Sequence, residues 1–320
     1  DKPAQHLTDG TFTIASLAHS SWTNDDHIII VGDHAGESTL YRVPTKSGEA
    51  TPITGGSQMF TALTVANTQV VVQTNSPTSP SDLVAIHLEN GTPNQLTHFN
   101  REFLSQHPPA TLEKFTFSRN NLNIQARVFF PSDFDESKKY PLILEIHGGP
   151  NGRFSDYFDI THQVLTGAGY IVLAVNPRGS SSYGPDFLKA VLCDWGGEDF
   201  LDLMAAVDEI CKRPYVDANR LGVHGYSYGG FMSSWIVGHD HRFKAAVVGA
   251  PCINLHSMYG TSDIGVSFGE NQWGGSSVGD VDILLKHSPL TYATEVQTPV
   301  LLMHGEVDYR CPIEQSEQFF

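Results

Sequence analysis

The amino-acid sequence predicts an α/β protein with two domains, an all-β segment over residues 1–104 and a parallel α/β domain over residues 105–320. Three observations support this prediction. The pattern of the first segment predicts short strands separated by turns, and it has no helical periodicity. Part of this segment also repeats itself. In the rest of the chain, continuous apolar strands alternate with helical segments, which is typical of a parallel sheet covered on both faces.

The all-β segment contains an internal repeat. LYRVPTKSGEATPIT (40–54) aligns without a gap with LVAIHLENGTPNQLT (83–97), at an offset of 43 residues, and QHLTDG (5–10) resembles the end of an earlier unit. A strand-based period of about 40 to 45 residues is the spacing of β-propeller blades, and about 4 to 8 blades close a propeller. We therefore expect residues 1–104 to be the last blades of a β-propeller that begins before this sequence. Two similar hairpins of a β-sandwich are the alternative.

The α/β domain is predicted from its apolar strands and one clear helix. A strand, a turn and a second helix are expected over residues 220–238. The strands and the first helix are YPLILEIHGGP (140–150), TGAGYIVLAVNPRG (166–179), EDFLDLMAAVDEICKR (198–213), FKAAVVGAP (243–251) and TPVLLMHGE (298–306).

The run Gly225-Tyr226-Ser227-Tyr228-Gly229 fits G-x-S-x-G, the pattern of a nucleophile elbow. A serine hydroxyl is a weak nucleophile, so it has to be presented to a base at a sharp, exposed turn, and the glycines let the strand and the helix approach closely. A strand is expected before Ser227 and a helix after it. The pattern therefore makes Ser227 the candidate nucleophile; a glycine-rich loop without chemistry is the alternative.

A second motif, HGGP, follows an apolar strand at residues 147–150. Acyl transfer needs preplaced N–H donors for the oxyanion of the tetrahedral intermediate. In the α/β-hydrolase fold, one donor is the N–H after the nucleophile, and the other comes from a glycine loop after an early strand. These positions predict the N–H groups of Tyr228 and of Gly149, or its neighbour Gly148, as the oxyanion hole.

The candidate acid is Asp308, which lies 81 residues after Ser227 and just past a late buried strand. The α/β-hydrolase fold places its catalytic residues in the order Ser, then Asp or Glu, then His. Glu306 is the competing acid. Asp202 and Asp263 are less well placed, because neither follows a late strand.

Four motifs together resemble the prolyl oligopeptidase family of serine peptidases, most closely its acylaminoacyl-peptidase-like branch. They are HGGP, NPRGSSSYG (176–184), GYSYGGF (225–231) and HGEVDYRCP (304–312). The resemblance implies an α/β-hydrolase domain after a β-propeller, with Ser227 as nucleophile and Asp308 as the triad acid. It also implies the N–H groups of Gly149 and Tyr228 as the oxyanion hole. Arg178 in NPRG is given no catalytic role, because packing or a salt bridge explains it equally well.

The sequence departs from the family at the triad histidine. The family places this residue roughly 30 positions after the acid, whereas all 15 histidines here precede Asp308. The nearest candidates by motif, His147, His224 and His304, are expected to be structural, as are His239 and His241 after a helix. We therefore expect the triad histidine to be absent from this chain, together with the final strand and helix of the domain, and the chain alone to be inactive.

The composition excludes several classes of partner. A net charge of −16 disfavours nucleic acid and anionic membranes, and no apolar run is long enough to span a bilayer. Metal-binding and nucleotide-binding motifs are missing, so we expect no metal and no cofactor. Four cysteines without CxxC spacing suit reduced thiols and a cytoplasmic location.

The sequence thus predicts a serine peptidase that hydrolyses short peptides, or N-acylated or aminoacyl peptides, through an acyl-enzyme. Peptide is the expected substrate, and a homo-oligomer of the intact enzyme is left open. Two alternatives remain. An α/β-hydrolase esterase or lipase would use the same elbow but would not need the repeat, and a propeller–hydrolase scaffold without catalysis would bind only.

Overall fold

The computed structural model describes residues 7–8, 12–15, 20–46 and 49–320. Most of the QHLTDG stretch lies outside the described residues. The chain divides into two compact units, the first comprising 1–111, 155–163 and 182–184, and the second comprising 112–154, 164–181 and 185–320. Within the described ranges, the longest apolar helices fall short of what is needed to cross a membrane.

The described part of the first unit is built mainly from antiparallel strands. The strands are Thr13–Ile14 (β1), Ser20–Trp22 (β2), His27–His34 (β3), Glu37–Pro44 (β4), Thr51–Pro52 (β5), Met59–Ala66 (β6), Gln69–Ser76 (β7), Ser79–His87 (β8) and Pro93–Gln95 (β9). They form two open sheets, one ordered β1-β3-β4-β5 with β2 also paired to β3, and one ordered β6-β7-β8-β9. A short helix, Arg101–Gln106 (α1), follows.

The sequence repeat of this unit is also a structural repeat. The strand pairs β4–β5 and β8–β9 have equivalent registers, with Tyr41 opposite Pro52 and Val84 opposite Gln95. Equivalent threonine hydroxyls then accept hydrogen bonds from equivalent strand amides, Leu40 N to Thr54 Oγ1 (3.0 Å) and Leu83 N to Thr97 Oγ1 (2.8 Å). The offset of 43 residues therefore relates two copies of one strand–turn–strand unit.

Both sheets contribute to one apolar cluster. Residues two apart on a strand point to the same face, so Ile29 and Val31 of β3 are buried together. The same alternation buries the other members, which are Leu40, Phe60, Val70, Val72, Val84, Ile86 and Leu88.

The second unit contains a seven-stranded sheet. Its strands are Thr111–Arg119 (β10), Leu122–Phe130 (β11), Tyr140–Ile146 (β12), Ile171–Asn176 (β13), Val216–Tyr226 (β14), Phe243–Gly249 (β15) and Val300–Met303 (β16). Their order across the sheet is β10-β11-β13-β12-β14-β15-β16. β11 is antiparallel to β13, and the strands from β13 to β16 are parallel to one another. All six residues of β13 are buried, because helices cover both faces of such a sheet.

Helices connect these strands. They are Ile160–Gly167 (α2), Pro185–Lys189 (α3), Glu198–Cys211 (α4), Tyr228–His239 (α5), Leu255–Thr261 (α6), Gly265–Gln272 (α7), Val281–Lys286 (α8), the 3-10 helix Pro289–Glu295 and Glu314–Phe319 (α9). The predicted helix over residues 198–213 is confirmed and ends slightly earlier. α5 is buried at every position except His239, because it packs against β14, β15 and the 3-10 helix.

The carboxyl ends of four parallel strands coincide at one edge of the sheet. Ile146 at the end of β12 lies opposite Gly225 of β14. Tyr226 at the end of β14 lies opposite Gly249 of β15, and Gly249 lies opposite Met303 at the end of β16. Ligand sites of open α/β sheets form outside the carboxyl ends of the strands. The loops that follow β12, β14 and β16 therefore meet where such a site is expected.

Candidate active site

Ser227 occupies the sharp turn between β14 and α5. Its backbone angles are φ 61° and ψ −120°, a conformation that a non-glycine residue adopts at a cost of about 1–3 kcal/mol. Two hydrogen bonds of 2.9 Å hold the turn, from Ser227 N to the Gly249 carbonyl and from Phe231 N to the Ser227 carbonyl. The strand–turn–helix arrangement that the sequence predicts around Ser227 is therefore present, and the residue remains half-exposed.

The glycines of the elbow are required by close backbone approach. A Cβ atom on Gly225 would lie 2.3 Å from the Gly229 carbonyl oxygen. A Cβ atom on Gly229 would lie 2.1 Å from the Ile146 carbonyl oxygen of β12. Both distances are far below van der Waals contact, so any side chain at these positions would push the helix away from the sheet.

The HGGP loop runs beside Ser227. A Cβ atom on Gly148 would lie 3.4 Å from the Tyr226 carbonyl oxygen and 3.6 Å from Ser227 Cβ. Gly149 follows with a φ of 130° and precedes a cis peptide bond to Pro150. The positive φ explains why glycine stands at position 149. Gly148, the neighbour of Gly149 in the motif, therefore brings the glycine loop close to Ser227.

His147, at the start of this loop, is held as a neutral structural residue. Its Nδ1 lies 2.8 Å from the Gly148 carbonyl oxygen, and its Nε2 lies 2.9 Å from the Ser180 hydroxyl. Burial lowers the pKa of the imidazole to about 4. Both ring nitrogens thus contact groups other than the Ser227 hydroxyl.

Tyr228, directly after Ser227, is anchored by a buried carboxyl group. Its hydroxyl donates a hydrogen bond of 2.5 Å to Asp199 Oδ2, while Asp199 Oδ1 accepts from the Phe200 amide at 2.8 Å. Burial raises the pKa of Asp199 to about 7, and burial beside this carboxyl also raises the pKa of Tyr228. The bond ties the first turn of α5 to the first turn of α4.

Arg178 of the NPRG motif forms a buried salt bridge with Asp202. Its backbone N, Nε and Nη2 all donate to this carboxylate, at 2.8 to 3.0 Å. Arg119 also donates to Asp202, at 2.8 Å. The salt-bridge interpretation of Arg178 is confirmed, and Asp202 is occupied as a structural acid.

Asp308 lies in the turn after β16. Its Oδ1 accepts hydrogen bonds of 2.9 Å from the amides of Arg310 and Cys311, which fix the carboxylate. Of the competing acids, Glu306 is exposed and Asp263 is paired with Arg310 at 2.8 Å. Asp308 is the acid whose carboxylate is held within the turn itself.

Cys311 links the surroundings of Asp308 with those of Ser227. A hydrogen bond from the Cys252 thiol, aided by one from the Ser227 hydroxyl, lowers the pKa of the Cys311 thiol, whereas the Asp308 charge opposes this change. Burial, with the nearby charges of Asp308 and Cys311, raises the pKa of Tyr226. The structure therefore brings Ser227 and the Asp308 turn together around Cys311.

No histidine ring within the described ranges hydrogen-bonds to the Ser227 hydroxyl or to the Asp308 carboxylate. His304 is close in sequence to Asp308, but its nitrogens contact the Ser316 hydroxyl at 2.7 Å and the Cys311 carbonyl at 2.6 Å. His239 Nδ1 lies 2.7 Å from the Trp235 carbonyl oxygen. These contacts give the rings structural partners.

Asp199 and the Cys252–Cys311 pair were not predicted from the sequence. A signal for Asp199 existed, because a tyrosine buried behind an elbow needs a partner for its hydroxyl, and EDF opens a helix that packs on the sheet. The cysteine pair left no comparable pattern. Among the described residues, no three His, Cys, Asp or Glu side chains cluster as metal ligands would.

Comparison with known proteins places this geometry in a family. The chain is 38% identical over 304 residues to the uncharacterized peptidase YuxL of Bacillus subtilis, covering 93% of this chain and 46% of that protein. It is 28% identical over 325 residues to the acylamino-acid-releasing enzyme of Mus musculus, covering 93% and 44%. The chain therefore spans about half the length of the curated relatives that it matches.

The fold of this chain is also similar to that of a solved peptidase structure. The acylaminoacyl peptidase of Pyrococcus horikoshii superimposes with a TM-score of 0.88 at 30% identity, covering 98% of this chain and 49% of that one. This similarity confirms the α/β-hydrolase domain. The model of the prolyl oligopeptidase family matches residues 156–320, slightly more than half of the chain. The chain belongs to the prolyl oligopeptidase family.

Proposed function

We propose that this chain is part of a serine peptidase that cleaves short peptides, or N-acylated or aminoacyl peptides, through an acyl-enzyme. One observation carries the proposal. The ends of β12, β14 and β16 lie at one edge of the sheet, so the HGGP loop, Ser227 and the Asp308 turn occupy one neighbourhood. Similarity to an acylamino-acid-releasing enzyme and to dipeptidyl-peptidase 5 supports peptide substrates.

In this proposal Ser227 is the nucleophile. Its Oγ forms a bond to the peptide carbonyl carbon while its proton passes to a histidine. The N–H groups of Tyr228 and Gly149 stabilise the resulting oxyanion. The protonated histidine then gives its proton to the leaving amine, and water hydrolyses the acyl-enzyme. The proximity of the glycine loop to Ser227 supports this assignment.

Asp308 is proposed to fix the tautomer of that histidine and to stabilise the imidazolium. The histidine itself is proposed to lie outside these 320 residues. The structural partners of His147 and His304 support this, since both nitrogens of each ring are already in contact with other groups.

We also propose that residues 1–104 are β-propeller blades and that residues 105–320 are the catalytic domain. The structural repeat at an offset of 43 residues supports the propeller. The resemblance to the family implies that a propeller restricts access to the active site, which favours short peptides over folded proteins. Four free cysteines support a cytoplasmic location. A homo-oligomer of the intact enzyme is compatible with these features.

The test compares amide and ester hydrolysis by the whole protein that contains these residues. Aminoacyl-nitroanilide peptides should be cleaved, and the Ser227→Ala variant should lose this activity. Negligible amide cleavage beside fast cleavage of p-nitrophenyl acyl esters would support the esterase alternative, and no cleavage of either would support a binding scaffold. The 320-residue chain alone should react poorly with a fluorophosphonate, and normal labelling of Ser227 would contradict the proposed source of the histidine.

A further inference from the structure

Two cysteines far apart in the sequence meet beside Ser227. Cys252 follows β15, Cys311 lies in the Asp308 turn, and their Sγ atoms are 3.7 Å apart. Both residues are buried, at 3% and 2% exposure. The proposed peptidase chemistry uses neither thiol.

The pKa values of the two thiols are shifted in opposite directions. The hydrogen bond from Cys252, which outweighs burial, lowers the pKa of Cys311, whereas that same bond and burial raise the pKa of Cys252. A thiolate is the nucleophilic form of cysteine. Cys311 is buried, but a hydrogen bond from the hydroxyl of the half-exposed Ser227 contributes to its lowered pKa, so Ser227 is the side from which a small molecule would approach its sulfur. The pair thus combines an attacking thiol with a resolving thiol.

We propose that Cys252 and Cys311 are a redox site, which a hydroperoxide converts reversibly into a disulfide. The Cys311 sulfur attacks one peroxide oxygen, the O–O bond breaks, and water or an alcohol leaves with a sulfenic acid formed on Cys311. The Cys252 sulfur then attacks Cys311 Sγ, the S–O bond breaks, and a second water leaves. Two thiols are oxidised to one disulfide, and one peroxide is reduced. A dithiol reductant reverses the change by thiol–disulfide exchange.

Oxidation acts on the turn that holds Asp308. The sulfur atoms must approach from 3.7 Å to about 2.0 Å. Since the Cys311 amide donates to Asp308 Oδ1 at 2.9 Å, movement of Cys311 displaces the carboxylate and removes the thiol from Ser227. A loss of peptidase activity on oxidation rests on the proposed function, whereas disulfide formation does not.

The experiment is peptide mapping of the whole protein that contains these residues, first reduced and then treated with hydrogen peroxide. Trypsin cleaves after Lys244, Lys286 and Arg310, so Cys252 falls in peptide 245–286 and Cys311 in the peptide that begins at residue 311. Cys193 and Cys211 share peptide 190–212. We expect a species that links peptide 245–286 to the peptide beginning at Cys311 and that dithiothreitol removes, together with the loss of two of the thiols titrated after unfolding.

Variants identify the pair. Cys252→Ser should lose the cross-link and carry sulfinic acid on Cys311, because the sulfenic acid is no longer resolved. Cys211→Ser is the matched control and should form the same cross-link as the parent chain. The proposal is overturned if the parent chain, still folded by circular dichroism, oxidises only within 190–212 and leaves Cys252 and Cys311 as thiols. Because the map needs no catalysis, it stands apart from the test of the proposed peptidase.

Discussion

The Tyr228 hydroxyl donates a hydrogen bond to the Asp199 carboxylate across 2.5 Å, and both side chains are buried. Tyr228 opens α5 immediately after Ser227, and Asp199 lies in the first turn of α4. The bond therefore fixes the residue that follows Ser227 against the first turn of α4. Because burial raises the pKa of Asp199 to about 7, the charge at this point changes near neutral pH.

We predict that Asp199 makes the protein less stable as the pH rises. A carboxyl group whose pKa is raised on folding contributes stability that is fully present below its unfolded pKa, 3.8, and is lost as the pH rises through about 7. An asparagine side chain does not ionise, so the Asp199→Asn variant should lack this loss. Urea unfolding gives the free energy of unfolding of both proteins at about pH 5 and at about pH 8. The difference between the two free energies should change by a few kcal/mol from one pH to the other, which is the order of magnitude that the pKa shift implies.

His147 has the opposite effect, because its lowered pKa reduces stability as the pH falls from 6.5 towards about 4. This contribution is the same in the parent chain and in Asp199→Asn, so it cancels in the comparison. Parallel stability profiles for the two proteins would contradict the assignment of the titration to Asp199.

Gly229→Ala should be strongly destabilising. The new Cβ would lie 2.1 Å from the Ile146 carbonyl oxygen, and neither α5 nor β12 can move without breaking its packing. Overpacking of this kind costs about 1–3 kcal/mol or more. Urea unfolding measures this cost.

Gly222→Ala in β14 is the matched control. A Cβ there meets nothing closer than Ile143 Cγ1 at 3.6 Å, so the variant should be as stable as the parent chain or slightly more stable. Equal losses of stability in both variants would show that close contact at the elbow is not the cause.

Asp202→Asn should destabilise the second unit by about 3–5 kcal/mol, because it leaves Arg178 buried without a full counter-charge. Arg178 is only 8% exposed, and the asparagine would leave one uncharged acceptor oxygen for the three groups of Arg178 that donate to Asp202. Denaturant unfolding of Asp217→Asn provides the comparison, since its pair with Arg220 is open to solvent and should contribute little. A small effect of Asp202→Asn would mean that Arg178 finds another partner.

If Asp308 is the triad acid, as we propose, Asp308→Asn should lower kcat of the whole protein about 10⁴-fold, since an amide in its place leaves the histidine in the wrong tautomer. Asp263→Asn should change kcat little, although it removes a salt bridge to Arg310 in the same turn. Steady-state hydrolysis of an aminoacyl-nitroanilide peptide measures both variants. If Asp263→Asn instead causes the large loss, the acid has been assigned to the wrong residue.

The sequence by itself predicted those features that depend on residues close together in the chain. The apolar strand before Ser227, the glycines around it and the helix after it lie within one stretch, and the structure forms the expected turn. The 43-residue repeat is equally local, because each copy is a strand pair that satisfies its own amides. The order of the motifs along the chain was sufficient to indicate the hydrolase fold and the family.

The tertiary structure decided which distant residues meet. Asp199 and Tyr228 are 29 positions apart, and Cys252 and Cys311 are 59 apart. Both pairs form because crossover helices join the parallel strands. Residues that are distant in the chain therefore meet at the ends of neighbouring strands or in helices that pack side by side. Hydrophobic periodicity reports which face of an element is buried, but it carries no information about the neighbour on that face. The support behind Ser227 and the thiol pair beside it are therefore properties of the strand order, β12 between β13 and β14 and β15 between β14 and β16.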